Sequence, residues 1–169
     1  MIKEHLCIYC MFWSEPFRVA LFGHRYLDSL YKVDERLSPL VKDLLRTKEC
    51  VEFNIGRDGE FDEYAASVIK LARRDVGTDN SVLTLVLPYP KAKMDDYENY
   101  YDEITIPDVC YGKHFKAAIT ERNRWMVEQA DLVIVFVEKD SGGAYTAMKY
   151  AKKLEKEVIN LADDEERDE

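Results

Sequence analysis

The chain has 169 residues, 34% of them charged and 47% hydrophobic, with a formal net charge of −9. This length suits one domain with a sizeable core, and the composition is that of a soluble globular protein. The acidic balance excludes a broad nucleic-acid surface but not a small anionic ligand, because local basic residues can outweigh the global sign.

The opening residues, MIKEHLCIYCMFWSEP, read as an N-terminal arm, 1–16. The apolar run Leu6–Trp13 is too short to span a bilayer. It follows Glu4 and lacks a small-residue cleavage site, so neither a membrane anchor nor a signal peptide is expected. Cys7 and Cys10 form a C-x-x-C, whereas Cys50 and Cys110 stand alone. A tetrahedral zinc site wants a second ligand pair, and none has the spacing. Free thiols in a reducing cytoplasm are the preferred reading, with no metal and no cofactor expected. Apolar residues in the arm, such as Phe12 and Trp13, would want cover, and a homo-oligomer is the expected assembly.

The first strand is expected at 17–22 (FRVALF), followed by the turn Gly23-His24-Arg25. Val33, Leu37, Leu40, Val41 and Leu44 then fall on one helical stripe, with Ser38-Pro39 as a first turn or kink. A second strand, 51–55, leads through GRDGEFD into a stripe of Phe61, Tyr64, Ala65, Val68 and Ala72. The third, 82–87, is almost continuously apolar, the pattern of a strand covered on both faces, and ends in PYPK. Pro90 to Gly112 shows no periodicity and is rich in Tyr and Asp, which reads as a lid or a disordered loop. Phe115, Ala118, Ile119 and Met126 mark another helix, 132–137 a second continuously apolar strand, and EKDSGG its closing turn. Ala144, Ala147, Met148 and Ala151 mark the last helix, 158–162 the last strand, and 163–169 a solvated acidic tail.

Strands alternating with helices predict parallel pairing. The expected fold is a three-layer, Rossmann-like, doubly wound α/β sheet of about five mostly parallel strands. In such sheets ligands bind at the carboxyl ends of the strands, where strand order reverses. All four unusual turns belong to that edge.

The turns carry the chemistry. Gly142 and Gly143 open a helix whose first turn, Ala144-Tyr145-Thr146, holds no acid. Free N–H groups and the helix dipole there favour a phosphate, and Thr146 offers a hydroxyl. The plain alternative is a glycine turn that reverses the chain. Glu60, Asp62 and Glu63 are ordinary helix-start acids; Asp62 alternatively accepts hydrogen bonds from ribose hydroxyls or stabilises an oxocarbenium-like centre, which makes it the one catalytic candidate. Arg122 sits in the middle of an apolar stripe, so it snorkels, pairs with a carboxylate or meets a ligand anion. Asn123 beside it brings an amide. Gly23, His24 and Arg25 form either a surface turn or a phosphate or base contact.

Four segments in order, LFGHR, FNIGRDGEFDEYAA, RNRWMVEQADLVIVFV and GGAYTAMKYA, resemble the SLOG superfamily, named for the DprA (SMF) and Lonely Guy proteins. The most similar branch is the YpsA-like one, of bacterial cytoplasmic proteins. The resemblance covers Phe17 to Ala162 and assigns 17–162 as a SLOG-like domain. It implies a Rossmann-like fold that binds a nucleotide or nucleotide-derived molecule. On that pattern Gly23, His24 and Arg25 match the first turn; Gly56, Gly59, Phe61 and Asp62 the second; Arg122 and Asn123 the helix motif; Gly142 and Gly143 the phosphate turn. Lonely Guy enzymes carry PGGxGTxxE, whereas this chain has SGGAYTAMK, with Lys149 in place of the glutamate. The resemblance therefore implies a sensor or sequestering module, with a nucleoside N-glycosidase or (deoxy)ribosyltransferase as the alternative.

Overall fold

A computed structural model describes residues 15–163. The N-terminal C-x-x-C, Phe12 and Trp13, and the acidic tail beyond Asp163, lie outside the described residues. Six strands form one sheet: β1 (Phe17–Gly23), β2 (Val51–Ile55), β3 (Ser81–Val86), β4 (Glu103–Thr105), β5 (Leu132–Phe136) and β6 (Glu157–Asn160). Their order is β4-β3-β2-β1-β5-β6, and every pairing is parallel. The helices are α1 (Leu30–Thr47), α2 (Glu60–Val76), α3 (Asp95–Tyr100), α4 (Phe115–Gln129) and α5 (Gly143–Lys153), with a 3-10 turn at Asp108–Cys110. The fold is a doubly wound α/β sheet of Rossmann type.

Hydrophobic spacing explains the layers. Val33, Leu37, Val41 and Leu44 of α1, with Phe61, Ala65, Val68 and Ala72 of α2, bury against one sheet face. Met126 and Val127 of α4, with Ala144, Ala147, Met148 and Ala151 of α5, bury against the other. Covered on both sides, β3 and β5 have no exposed residue. Pro39 lies inside α1, nine residues after its start, so it does not mark the helix's first turn. The α2 helix stops at Gly77, whose φ of 73° and N–H bond to the Arg73 carbonyl make a left-handed cap.

The sheet has six strands where about five were expected. The segment 90–112 is neither a bare lid nor a loop without structure: it holds α3 and the edge strand β4. Asp102 fixes it, accepting the Leu83 N–H at 2.7 Å through its carboxylate and donating its own N–H to the Leu83 carbonyl at 3.0 Å. Arg73 pairs with the same carboxylate at 2.8 Å. The Lys70 ammonium lies 3.8 Å above the Tyr100 ring, and Arg57 stacks on Tyr97 at 4.8 Å. No described helix is long and apolar enough to cross a membrane.

Candidate functional site

The chain runs outward from β1 through β2 and β3 to β4, then returns to place β5 on the other side of β1. At that reversal the carboxyl ends of the strands splay apart around a cleft of about 610 Å³. All four turns reach it: Gly23 to Tyr26 after β1, Gly56, Asp58 and Gly59 after β2, Tyr89 after β3, and Lys139 and Ser141 to Gly143 after β5. The α4 helix adds Phe115, Ile119, Arg122, Asn123 and Met126.

The first two turns are locked together. A Cβ on Gly23 would lie 2.0 Å from Cγ of Phe61, and one on Gly59 would lie 2.5 Å from the Arg25 Cα. Both glycines are there so that the β1 turn can lie directly on the start of α2. The Glu60 N–H donates to the Arg25 carbonyl at 2.9 Å, and the Glu60 carboxylate accepts the Leu27 N–H at 2.8 Å. Phe61 is fully buried and stacks on Phe136 at 6.3 Å, so it belongs to the core and does not line the cleft. Asp62 does line it, and its Oδ2 accepts the Asp58 N–H at 2.9 Å. Burial pushes the Asp62 carboxyl up to about 6; the Asp58 N–H and Arg122 pull it back, while the carboxylates of Asp58 and Glu63 push it further.

Arg122 points inward and is 5% exposed. It is not a free guanidinium waiting for an anion. Its NH2 group meets Asp58 Oδ2 at 2.8 Å, NH1 donates to the Val86 carbonyl at 3.0 Å, and Nε donates to Asn123 Oδ1 at 2.9 Å. Gly56 leaves room for it, since a Cβ there would come within 2.8 Å of NH1. The partner is Asp58, which stands in the turn GRDGEFD without any local signal of this role. Asp58 also meets Lys91 Nζ at 3.4 Å through Oδ1, and its carbonyl accepts Arg25 Nε–H at 3.1 Å. One residue thus ties together the turns after β1, β2 and β3 and the helix α4. Burial raises the Asp58 carboxyl, but Arg122 and Lys91 outweigh it and hold the group below its ordinary value.

The α5 end of the cleft has the opposite character. Gly142 caps α5 with φ 91° and ψ 178°, a conformation open to glycine, and the first turn carries no acid. Gly142 and Gly143 are exposed to the cleft. Thr146 does not line it; its hydroxyl donates to the Gly142 carbonyl at 3.0 Å within the helix. The turn before α5 is held by His24, whose Nε2 accepts the N–H groups of Glu138 and Lys139 at 3.1 and 3.2 Å. Arg25 and Lys139 line the cleft without an ion pair among the described residues. Around the mouth stand Tyr26, Tyr89 and Phe115, 76%, 37% and 51% exposed. Nothing in the sequence marks Tyr26, Tyr89, Asp58 or Lys139 for the cleft, although EKDSGG and PYPK hold Lys139 and Tyr89 in plain view, and Phe115 stands out there only as part of an apolar helical stripe. Among the described residues no group of three His, Cys, Asp or Glu is arranged for a metal ion.

The architecture is found in known proteins of one kind, doubly wound Rossmann-type domains. DNA processing protein A of Helicobacter pylori, described for its single-stranded DNA binding mode, matches 85% of this chain with a TM-score of 0.58 and 18% identity. DNA processing protein A (DprA) of Streptococcus pneumoniae matches 85% with a TM-score of 0.60 and 19% identity. The molybdenum cofactor carrier protein of Chlamydomonas reinhardtii matches 85% with a TM-score of 0.55 and 14% identity, over 75% of its own length. The match spans 64% and 49% of the two DNA processing proteins. At these identities the likeness is one of fold. No protein-family model and no curated protein matches the chain.

Proposed function

We propose that the cleft binds a small phosphorylated molecule of nucleotide type, and that residues 17–162 work as a sensor or sequestering module for it. The observation that carries this reading is the α5 end. An acid-free helix N-terminus faces the cleft with Lys139 in the turn before it, and Arg25, held on the Asp58 carbonyl, lines the same cleft without an ion pair, in a chain of net charge −9. The phosphate lies on Gly142, Gly143 and Ala144, and the ring packs among Tyr26, Tyr89 and Phe115. The Asp62 carboxylate takes the sugar hydroxyls. The ordered motifs that resemble the SLOG superfamily and its YpsA-like branch support the same reading. So do two relatives in fold, one described for single-stranded DNA binding and one a molybdenum cofactor carrier. Of the parts open to Arg122, this reading gives it the carboxylate pair: it shapes the floor with Asp58.

Mass spectrometry of small molecules released from the purified protein tests the proposal, followed by calorimetry with the released compound. A phosphorylated heterocycle is expected. Lys139→Ala is expected to weaken it about tenfold, since a charge-assisted hydrogen bond contributes about 1.5–3 kcal/mol and ~1.4 kcal/mol is one decade. Release of no phosphorylated compound, together with no heat from any nucleoside monophosphate, overturns it. A second reading, cleavage of an N-glycosidic bond, is favoured by Asp62, a cleft carboxyl whose value of about 6 suits proton transfer near neutrality. Release of free base, lost in Asp62→Asn while the nucleotide still binds, would select it.

A further inference from the structure

We propose that Asp58 sets the charge specificity of the cleft: its carboxylate is a built-in counter-anion to Arg122 and Lys91, so the cleft accepts one anionic group at the α5 end and rejects a second over the floor. This rests on the ligand reading above. The floor carries Asp58 and Asp62 against Arg122 and Lys91, and these four charges cancel. The other acids of the α2 start are already engaged. Glu63 pairs with Arg57 at 4.0 Å, Glu60 accepts the Leu27 N–H, and neither acid lines the cleft. At the α5 end Lys139 stands uncancelled, and the partial positive charge of the helix start adds to it, while Arg25 is held against the β2 turn with its Nε donating to the Asp58 carbonyl at 3.1 Å. Glu138 and Asp140 flank Lys139 in the chain but do not line the cleft.

Arg122 has no freedom to change partners. It is buried, and its three nitrogens are committed to Val86, Asn123 and Asp58. Lys91 does not line the cleft; it reaches the floor only through Asp58. A second phosphoryl group over the floor would therefore meet the outer face of a carboxylate whose cations are already taken. Both neighbouring acids would repel it. A hydroxyl or amino group at the same place would find acceptors instead.

The test compares inorganic phosphate with inorganic pyrophosphate by calorimetry at fixed ionic strength. The wild-type chain is expected to bind the two within about threefold of each other. Asp58→Asn keeps an oxygen acceptor for Arg122, turns its amide NH2 toward Lys91, and removes the charge. It is expected to bind pyrophosphate at least tenfold more tightly than wild type, with phosphate changed less than threefold. A pyrophosphate-to-phosphate ratio unchanged in a folded Asp58→Asn protein overturns the assignment of Asp58 and leaves the anion site standing. Absence of phosphate binding in both proteins removes the anion site itself, and this proposal with it. Should Asp58→Asn fail to fold, Lys91→Met carries the test. That change leaves Asp58 less compensated, so pyrophosphate is expected to weaken threefold or more with phosphate unchanged, and an unchanged ratio overturns the proposal.

Discussion

Asp62→Asn is expected to make the protein more stable at neutral pH, by an amount that vanishes in acid. Asp62 sits in the first turn of α2 with its Oδ2 on the Asp58 N–H. Burial is the main cause that raises its carboxyl from 3.8 to about 6. The folded chain therefore holds this proton more tightly than the unfolded chain does. Between pH 4 and 6, roughly, the unfolded state has released the proton and the folded state has not, so stability falls as pH rises through that window and levels off above it. The displacement corresponds to about 3 kcal/mol for a carboxyl sealed from water. Asp62 lines an open cleft and is not sealed in the core, so about 1–3 kcal/mol is expected. Asparagine keeps the acceptor for the Asp58 N–H and has no charge to bury. Urea unfolding at pH 4.5, 5.5, 6.5 and 7.5 reads the effect as a difference between the two proteins, in which the other carboxylates cancel. Asp58 has the opposite sign: its lowered value means that stability is lost as pH falls below the unfolded value, under the window used. A difference that stays flat with pH, or a variant less stable at pH 7.5, would refute the reasoning.

Gly23→Ala should cost about 1–3 kcal/mol or more, because the new methyl collides with the Phe61 ring and one of two packed elements must move. Adding Phe61→Leu should recover part of that loss in urea melts, and full additivity would argue against the interlock. Gly142→Ala should cost about 1–3 kcal/mol of backbone strain at φ 91° and weaken phosphate more than tenfold; equal affinity in calorimetry would dissociate this turn from the anion. Thr84→Val should leave stability unchanged or raise it by about 1 kcal/mol, since the buried Thr84 hydroxyl has no partner, and a drop in thermal midpoint would contradict this.

Elements set by hydrophobic period were legible in the sequence. The four-residue stripe of α5 is buried as its spacing demands, and the continuous runs of β3 and β5 are covered on both faces. Strand ends differ from expectation by one or two residues. The miss is β4, three half-buried residues with no apolar run to announce them. It exists because Asp102 grips both polar groups of the Leu83 backbone, a contact 19 residues apart that no local pattern encodes. In the cleft, topology placed the four turns at one edge, but the partners of individual side chains depend on the fold. The helical position of Arg122 showed that it points inward; whether it meets Asp58 or a ligand depends on where the β2 turn ends, and only three-dimensional packing fixes that.

The same partnerships explain what a motif of this kind can transmit. Gly23, Gly59, Phe61 and Asp62 carry much of the resemblance, and the structure engages them mainly with one another: Gly23 under Phe61, Gly59 on Arg25, Asp62 on the Asp58 N–H. A change at any of these positions disturbs the joint between the β1 turn and α2 before it touches anything in the cleft. Such residues specify that the two turns meet, and therefore that a cleft exists at the reversal point of the sheet. They say little about its occupant. That choice falls to side chains outside the joint, with Lys139 before α5 and Tyr26, Tyr89 and Phe115 around the mouth. These can change without cost to the joint. Proteins that share the joint can therefore share a fold and a cleft while binding different ligands, and an identity of 14–19% to solved structures of the same architecture is compatible with that division.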